Sequence, residues 1–252
     1  MVWKEGILME KVVLVTGSSS GIGREIVRTL AGNYEVIIHY NSSQSNALEL
    51  KKELDKLYSK DIMVVKCDLS SEEEIDSMLN DIYDRYGDID VLVNNAGIAI
   101  DTTVEDKTKD NFIKTLEVNT IAPFLLMRKI GLRMKERKCG NIVNISSTNG
   151  LDTLYPESLD YDASKAALIS VSNNMAHYLA PYVRVNTVCP GWVDTRMNSE
   201  LDSEFIKEEE SKILLERFAN PEEIAGVVKF LISDDASYIN NSIIRVDGGL
   251  KC

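Results

Sequence analysis

Seven short runs rich in valine, leucine and isoleucine alternate with stretches of helical apolar spacing, and this rhythm limits the fold more than any other feature. The runs fall at residues 12–16, 35–40, 62–66, 91–94, 141–146, 184–189 and 243–246. Helical patterns occupy about 22–30, 44–57, 72–85, 109–137, 160–180 and 221–231, the last with Pro221 in its first turn. Strands this short and continuously apolar predict a parallel sheet buried on both faces, with helices covering it as a three-layer α/β/α sandwich. No linker, repeat or low-complexity tract interrupts the order, so residues 1–252 are expected to form one domain. One segment, about 198–211, is charged and helical in pattern but has no strand of its own. It follows the sixth strand, on the side where ligands bind in doubly wound sheets. It reads either as part of a lid over about 195–215 or as a plain solvated helix.

Charge narrows the partners. A formal net charge of −12 argues against a nucleic-acid surface, which needs a basic footprint, and leaves small molecules as the expected ligands. Cysteines at 67, 139, 189 and 252 form no CxxC pair and have no histidine near them in sequence, so no metal site is expected. Scattered thiols fit a reducing cytosol. His39 and His177, the two histidines, read as packing or surface residues. The first nine residues hold too short an apolar stretch for a signal peptide, and no run approaches the ~20 apolar residues of a membrane helix. A cytoplasmic protein is expected.

Between the first strand and the first helix lies Thr16-Gly17-Ser18-Ser19-Ser20-Gly21-Ile22-Gly23. Glycines there let the backbone turn tightly and approach a pyrophosphate, whose charge is favoured at a helix N-terminus. The same glycines also suit a tight strand–helix turn with no ligand. The order of the further motifs decides between the two. Asn94-Asn95-Ala96-Gly97 follows the fourth strand, Ser146-Ser147 ends the fifth, and Tyr161-Asp162-Ala163-Ser164-Lys165 opens the next helix. Pro190-Gly191 and Val246-Asp247-Gly248-Gly249 complete the set.

This series resembles the short-chain dehydrogenase/reductase family from Lys11 to Gly249. The resemblance implies a Rossmann-type doubly wound sheet, strand order 3-2-1-4-5-6-7, and hydride transfer between a nicotinamide cofactor and a ketone or secondary alcohol. It assigns catalysis to Asn119, Ser147, Tyr161 and Lys165. Tyr161 and Lys165 stand at i and i+4 and share one helix face. A neighbouring ammonium favours the phenolate and is expected to bring the tyrosine pKa down from ~10 toward the working range. Ser147 would donate to the same substrate oxygen, and Asn119 would help hold a water linking Lys165 to solvent.

For the cofactor, the resemblance implies contacts from Gly17, Ser19, Ser20, Gly21, Ile22 and Gly23, and from Asp68 and Leu69 near the adenine. Asn95, Ala96 and Gly97 would lie near the adenosine ribose. Tyr161, Lys165, Pro190, Gly191 and Val193 would surround the nicotinamide end, with Thr195 near its carboxamide or a phosphate. Asp68 could instead cap the helix that begins near Ser70. Tyr40, Asn41 and Ser42 end the second strand, where an NAD-selective site places a carboxylate. With none there, NADP(H) is favoured and NAD(H) permitted. Arg24 is expected close enough to add charge.

Within the family the chain is most similar to 3-oxoacyl-acyl-carrier-protein reductases, which implies a place in fatty acid biosynthesis. Sugar, polyol and steroid alcohol dehydrogenases share the skeleton. A non-catalytic dinucleotide-binding sensor would be expected to lack Ser147, Tyr161 or Lys165, and all are present. Substrate contacts are expected from Ser147, Asn149, Leu154, Tyr155, Glu157, Tyr161 and Trp192. Arg128, Lys129, Arg133, Lys135, Arg137 and Lys138 crowd one helix end. They read as a dock for an acidic acyl carrier protein or as cations favoured at a helix C-terminus. Apolar stripes on 109–137 and 160–180, which family members pair across two-fold axes, imply a homotetramer. A glycine common in relatives before the last strand is replaced by Asn241, which tolerates left-handed geometry.

Overall fold

The computed structural model describes the backbone of residues 2–4, 7–195 and 201–250, and the side chains of 10–195 and 201–250. Seven parallel strands form the central sheet: β1 (Val12–Val15), β2 (Glu35–Tyr40), β3 (Met63–Lys66), β4 (Val91–Asn94), β5 (Gly140–Ile145), β6 (Val183–Pro190) and β7 (Ile243–Val246). Their order is β3-β2-β1-β4-β5-β6-β7, the 3-2-1-4-5-6-7 arrangement expected for a Rossmann-type fold. Ahead of the sheet, Val2–Lys4 pairs antiparallel with Ile7–Met9.

Side-chain alternation divides β1 between two cores. Val13 and Val15 pack with α1 (Gly21–Leu30), α2 (Gln44–Tyr58) and α8 (Pro221–Ile232), through residues such as Ile26, Leu50 and Val228. Val12 and Leu14 pack with α3 (Glu72–Tyr86), α5 (Ala122–Glu136) and α6 (Leu159–Leu179), through Ile75, Leu126 and Leu179. Every residue of β1 and β4 is buried, which explains why these strands are apolar throughout rather than alternating. The chain winds one way from β1 to β3 and the other way from β4 to β7. A crevice therefore opens beyond the carboxyl ends of β1 and β4, where the direction reverses.

The 109–137 region is not one uniform helix. α4 (Lys109–Leu116) runs into a π-helical turn, Glu117–Ile121, before α5 resumes. Pro123 is the cause visible in sequence, because it carries no N–H to bond the Asn119 carbonyl four residues back. The widened turn directs Asn119 inward to complete burial. Asn241 has φ 55°, the left-handed geometry expected of it.

Four cations of the basic cluster on α5 pair with acidic side chains while staying partly open to solvent, and Lys135 and Lys138 lie against the rings of Tyr178 and Tyr182. Arg128 and Lys129 pair with Glu72, Lys129 also with Asp76, Arg133 with Asp88, and Arg137 with Asp88 and Asp90. These cations tie α5 to α3 and to the loop before β4. α7 (Ser203–Lys212) overlaps the segment read as a lid, of which residues 196–200 lie outside the described residues. Among the described residues no helix is long and apolar enough to cross a membrane, and no group of three or more His, Cys, Asp or Glu could hold a metal ion.

Candidate active site

A cavity of about 1220 Å³ occupies the crevice above β1 and β4. That exceeds the ~300–1,000 Å³ typical of a single small-ligand pocket, so it has room for a dinucleotide and a second molecule together.

The glycine loop forms one end. Gly17 has φ +64°, and a Cβ there would lie 2.8 Å from the Ala96 Cα. At Gly23 a Cβ would meet the Asn95 Nδ2 at 2.4 Å. These positions require glycine because two chain segments are pressed together. The clamp is a set of hydrogen bonds. Thr16 Oγ1 accepts from the Asn95 and Ala96 N–H groups at 3.0 Å each, and Asn95 Nδ2 donates to the Thr16 carbonyl at 2.9 Å. The loop thus bends away from the crevice and leaves a cradle at the start of α1, a shape suited to a diphosphate. Gly17, Ser19, Ser20, Gly21 and Ile22 line the cavity. Gly23 does not line it; its role is the close packing under Asn95.

His39, read from sequence as a packing residue, proves to be part of this loop's support. Its Nδ1 accepts from the Gly17 N–H at 2.9 Å, so the proton sits on Nε2, which donates to the Cys67 carbonyl at 3.1 Å. Burial pushes its pKa down to about 4, against the weaker opposing effect of the Cys67 hydrogen bond, and keeps the ring neutral.

Tyr40, Asn41 and Ser42 line the cavity beside the loop, as do Asp68, Leu69, Asn95, Ala96 and Gly97. Asp68 faces the cavity, and its Oδ1 accepts from the Ser70 N–H and hydroxyl at 2.9 and 2.7 Å, whereas the cap of α3 is Ser71, whose hydroxyl accepts from the Glu74 N–H. The Ser70 bonds hold the Asp68 carboxyl below the usual range. Lys114, not foreseen, also lines the cavity and acts on Asp68 through space. Arg24 departs from expectation. Its guanidinium turns to the Asn46 carbonyl, Glu49 and Glu53 at 3.4–3.5 Å and is not part of the lining.

Ser147, Tyr161 and Lys165 line the cavity from the β5 end and the first turns of α6. The Lys165 Nζ is buried, donates to the Ile145 carbonyl at 3.0 Å and stands 5.5 Å from the Tyr161 ring centroid. A Cβ on Gly97 would come within 3.3 Å of both Lys165 Nζ and Asn119 Oδ1, so the three are adjacent. Asn119 lies behind the cavity wall. It accepts from the Ile98 N–H and donates to the Ile98 carbonyl, both at 2.8 Å, and donates to Ser164 Oγ at 3.0 Å. Its side chain thus pins the segment just after Gly97.

The expected lowering of the tyrosine pKa does not hold in this arrangement. Burial pushes Tyr161 up to about 12, and the nearby Ser147 hydroxyl only partly offsets it. Lys165 is itself brought down to about 8 by burial. Tyr161 is therefore a protonated phenol at neutral pH, suited to giving a proton.

Pro190, Gly191, Val193 and Thr195 complete the wall opposite, with Thr195 Cγ2 lying 3.5 Å from where a Gly21 Cβ would stand. Asn149, Tyr155, Glu157 and Trp192 line the far end as expected. Leu154 does not: it is 78% exposed and points away from the cavity lining. Asn149 accepts from the Ser147 hydroxyl at 3.0 Å and donates to Asp162 at 2.7 Å. Residues not anticipated at this end are Asp101, Ser158, Phe205 and Leu250. Behind them, Lys107 and Asp160 form a buried ion pair at 2.9 Å, with Thr115 donating to the same carboxylate.

A family model described as enoyl-(acyl carrier protein) reductase matches residues 17–251. The 3-oxoacyl-acyl-carrier-protein reductase of Aquifex aeolicus is 38% identical over 244 residues, covering 96% of this chain and 98% of its own. The acetoacetyl-CoA reductase of an Acinetobacter species is 33% identical over 243 residues, 96% and 98% of the two chains. Among solved structures, acetoin dehydrogenase from Salmonella typhimurium superposes with a TM-score of 0.86 at 31% identity over 96% of each chain.

Proposed function

Because this chain belongs to the short-chain dehydrogenase/reductase family, we propose that it reduces 3-oxoacyl thioesters, with NADP(H) as its preferred cofactor. The observation that carries the reading is the protonated Tyr161 phenol beside Ser147 on one wall of a cavity whose other end is a glycine cradle. Two hydroxyl donors set side by side suit one carbonyl oxygen, and their pairing favours a ketone over the carbon–carbon double bond of an enoyl substrate. The kinship with a 3-oxoacyl-acyl-carrier-protein reductase and an acetoacetyl-CoA reductase supports a thioester.

In this reading Gly17, Ser19, Ser20, Gly21, Ile22 and Thr195 hold the cofactor's diphosphate, and Asp68 and Leu69 its adenine. Tyr40, Asn41 and Ser42 face the adenosine ribose, while Asn95, Ala96, Gly97, Lys165, Pro190, Gly191 and Val193 flank the remainder. The nicotinamide, when bound, supplies the hydride. The Ser147 hydroxyl, which donates to Asn149 in this structure, turns to donate to the substrate carbonyl instead, and Tyr161 gives its proton to the same oxygen. Lys165 favours the phenolate left behind, and Asn119 keeps the neighbouring segment in place. The chain is a cytoplasmic homotetramer in this proposal, with exposed Ile121, Phe124 and Tyr178 on α5, α6 and the turn before α5 available for pairing; light scattering that gives a monomer at micromolar concentration refutes that part.

The test is loss of reduced-cofactor absorbance with acetoacetyl-CoA, longer 3-oxoacyl thioesters, crotonyl-CoA, and sugar or polyol ketones. Turnover is expected with the first two. Tyr161→Phe keeps the ring and removes the proton, so turnover should fall at least ~10²-fold while NADPH still binds. Near-full activity in that variant, or exclusive turnover of the crotonyl or sugar substrates, overturns the reading.

A further inference from the structure

α7 is charged along most of its length, with Glu204, Lys207 and Glu208 exposed, yet Glu209 on the same helix is 2% exposed. Both of its carboxylate oxygens are occupied. Oε2 accepts from the Tyr155 hydroxyl and from Trp192 Nε1, the latter at 2.9 Å, and Oε1 accepts from Lys212 Nζ at 2.6 Å. Tyr155 belongs to the loop between β5 and α6, Trp192 to the loop after β6, and Glu209 to the helix across them. Three segments far apart in sequence thus meet on one buried carboxylate.

The indole so fixed is the centre of an aromatic wall. Trp192 stacks on Phe218 at 5.3 Å and meets Tyr155 and Phe205 edge-on at 5.7 Å each. Tyr155, Trp192 and Phe205 face the cavity. Burying a carboxylate is unfavourable unless it is fully paired, so a helix that merely coated the surface would gain nothing by turning Glu209 inward. Burial raises its pKa, but the bonds from Lys212, Tyr155 and Trp192 outweigh this and hold it below the usual glutamate range.

We propose that Glu209 is a positioning residue of the substrate end, a latch that holds α7 against Tyr155 and Trp192 and so shapes the wall the substrate meets. The proposal rests on the ketone-reductase reading for its kinetic consequence and on the geometry alone for its structural one. A neutral amide at this position cannot serve all three donors, since its own NH₂ must face either the Lys212 ammonium or the Tyr155 and Trp192 donors.

The experiment uses Glu209→Gln in a Trp3→Phe background, which leaves Trp192 as the sole indole of the chain's two tryptophans. Without substrate, acrylamide should quench Trp192 fluorescence more readily than in the Trp3→Phe parent. With whichever ketone the parent reduces, KM should rise ~10-fold or more while kcat changes less than ~3-fold and NADPH affinity is unchanged. Tyr155→Phe, which keeps the ring and loses one donor, should move both readouts the same way, and the double variant should be no worse than the more affected single one. If Glu209→Gln does not fold, Tyr155→Phe alone decides. Unchanged quenching and KM, or strictly additive effects of the two changes, overturn the latch. Should no thioester be turned over, the quenching result still stands on its own.

Discussion

At the glycine-loop end of the cavity, side chains hold main-chain atoms: Thr16 takes two N–H groups, Asn95 a carbonyl, and His39 both an N–H and a carbonyl. At the α7 end, side chains hold other side chains, as Lys107 does Asp160, Asn149 does Asp162, Ser158 does Asp101 and Lys212 does Glu209. The first arrangement fixes a loop shape that any dinucleotide can use. The second fixes a wall whose shape depends on which side chains happen to meet. Main-chain geometry is common to all sequences, whereas side-chain pairs are particular to one. The glycine-loop end is therefore set by backbone geometry, and the α7 end by its particular side chains.

The contrast is sharpest at Lys107 and Asp160, 3% and 0% exposed, one residue from Tyr161. If paired charges hold the α7 end, breaking one pair should be costly and removing both charges mild. Asp160→Asn leaves a buried ammonium without its carboxylate and should cost ~3–5 kcal/mol of stability. Lys107→Met/Asp160→Asn keeps an acceptor for Thr115 and should recover most of that loss. Urea unfolding at fixed protein concentration measures both. A single-variant loss below ~1 kcal/mol would place the pair among ordinary surface bridges and break the comparison.

How far the sequence foretold each end follows from the same difference. The Thr16–Gly23 loop and the Tyr161–Lys165 helix face were legible because each depends on residues close together in the chain, while the sheet order came from the resemblance their sequence carries. The π turn was not read from the sequence, whose apolar spacing suggests one unbroken helix over 109–137. His39 was not legible either, since nothing nearby says that its ring will meet Gly17. Glu209 was illegible for a stronger reason. It stands in a Lys-Glu-Glu-Glu-Ser-Lys run, and only the arrival of Tyr155 and Trp192 separates it from Glu208 and Glu210. Leu154 departs in the opposite sense: an apolar loop residue beside a site is expected to face it, but this one is exposed and outside the cavity lining.

His39 offers a test at the other end. Its folded pKa of about 4 lies below the ordinary 6.5, chiefly through burial. The unfolded chain therefore takes up a proton that the folded chain refuses as the pH drops from 6.5 toward 4. Stability should decline through that window and level off below it, by about 3 kcal/mol in all. In His39→Asn the amide can accept from Gly17 but does not titrate. Its stability should show a pH dependence shallower by that amount when both proteins are unfolded between pH 7 and 4. Parallel curves would mean that the ring is not held neutral by this loop. A lowered NADPH affinity in the variant at neutral pH would add that the main-chain clamp needs the imidazole's reach.

The smallest expected effect concerns which cofactor the glycine-loop end prefers, and it turns on an absence. At the end of β2 an NAD-selective site presents a carboxylate to the ribose hydroxyls, and that charge also repels a 2′-phosphate. Here Tyr40 occupies the position, with Asn41, Ser42 and Ser43 beside it on the cavity wall as neutral donors. Asp68, the nearest acid on the wall, has one oxygen engaged by Ser70, and Lys114 lies close enough to temper its charge. Arg24 is occupied by Glu49 and Glu53 and is not available in this arrangement to reward a phosphate. Relief from repulsion without a dedicated cation gives a modest preference for NADP(H), ~10-fold or about 1.4 kcal/mol. Comparing kcat/KM for the two reduced cofactors at fixed ketone measures it, and equal values or an advantage for NADH would refute it. Tyr40→Asp restores the missing carboxylate and should move the ratio toward NADH. Arg24→Gln should leave the ratio nearly where it was. If instead Arg24→Gln abolishes the preference, the guanidinium leaves its glutamates when the cofactor arrives, and selectivity at this end rests on a side-chain pair after all.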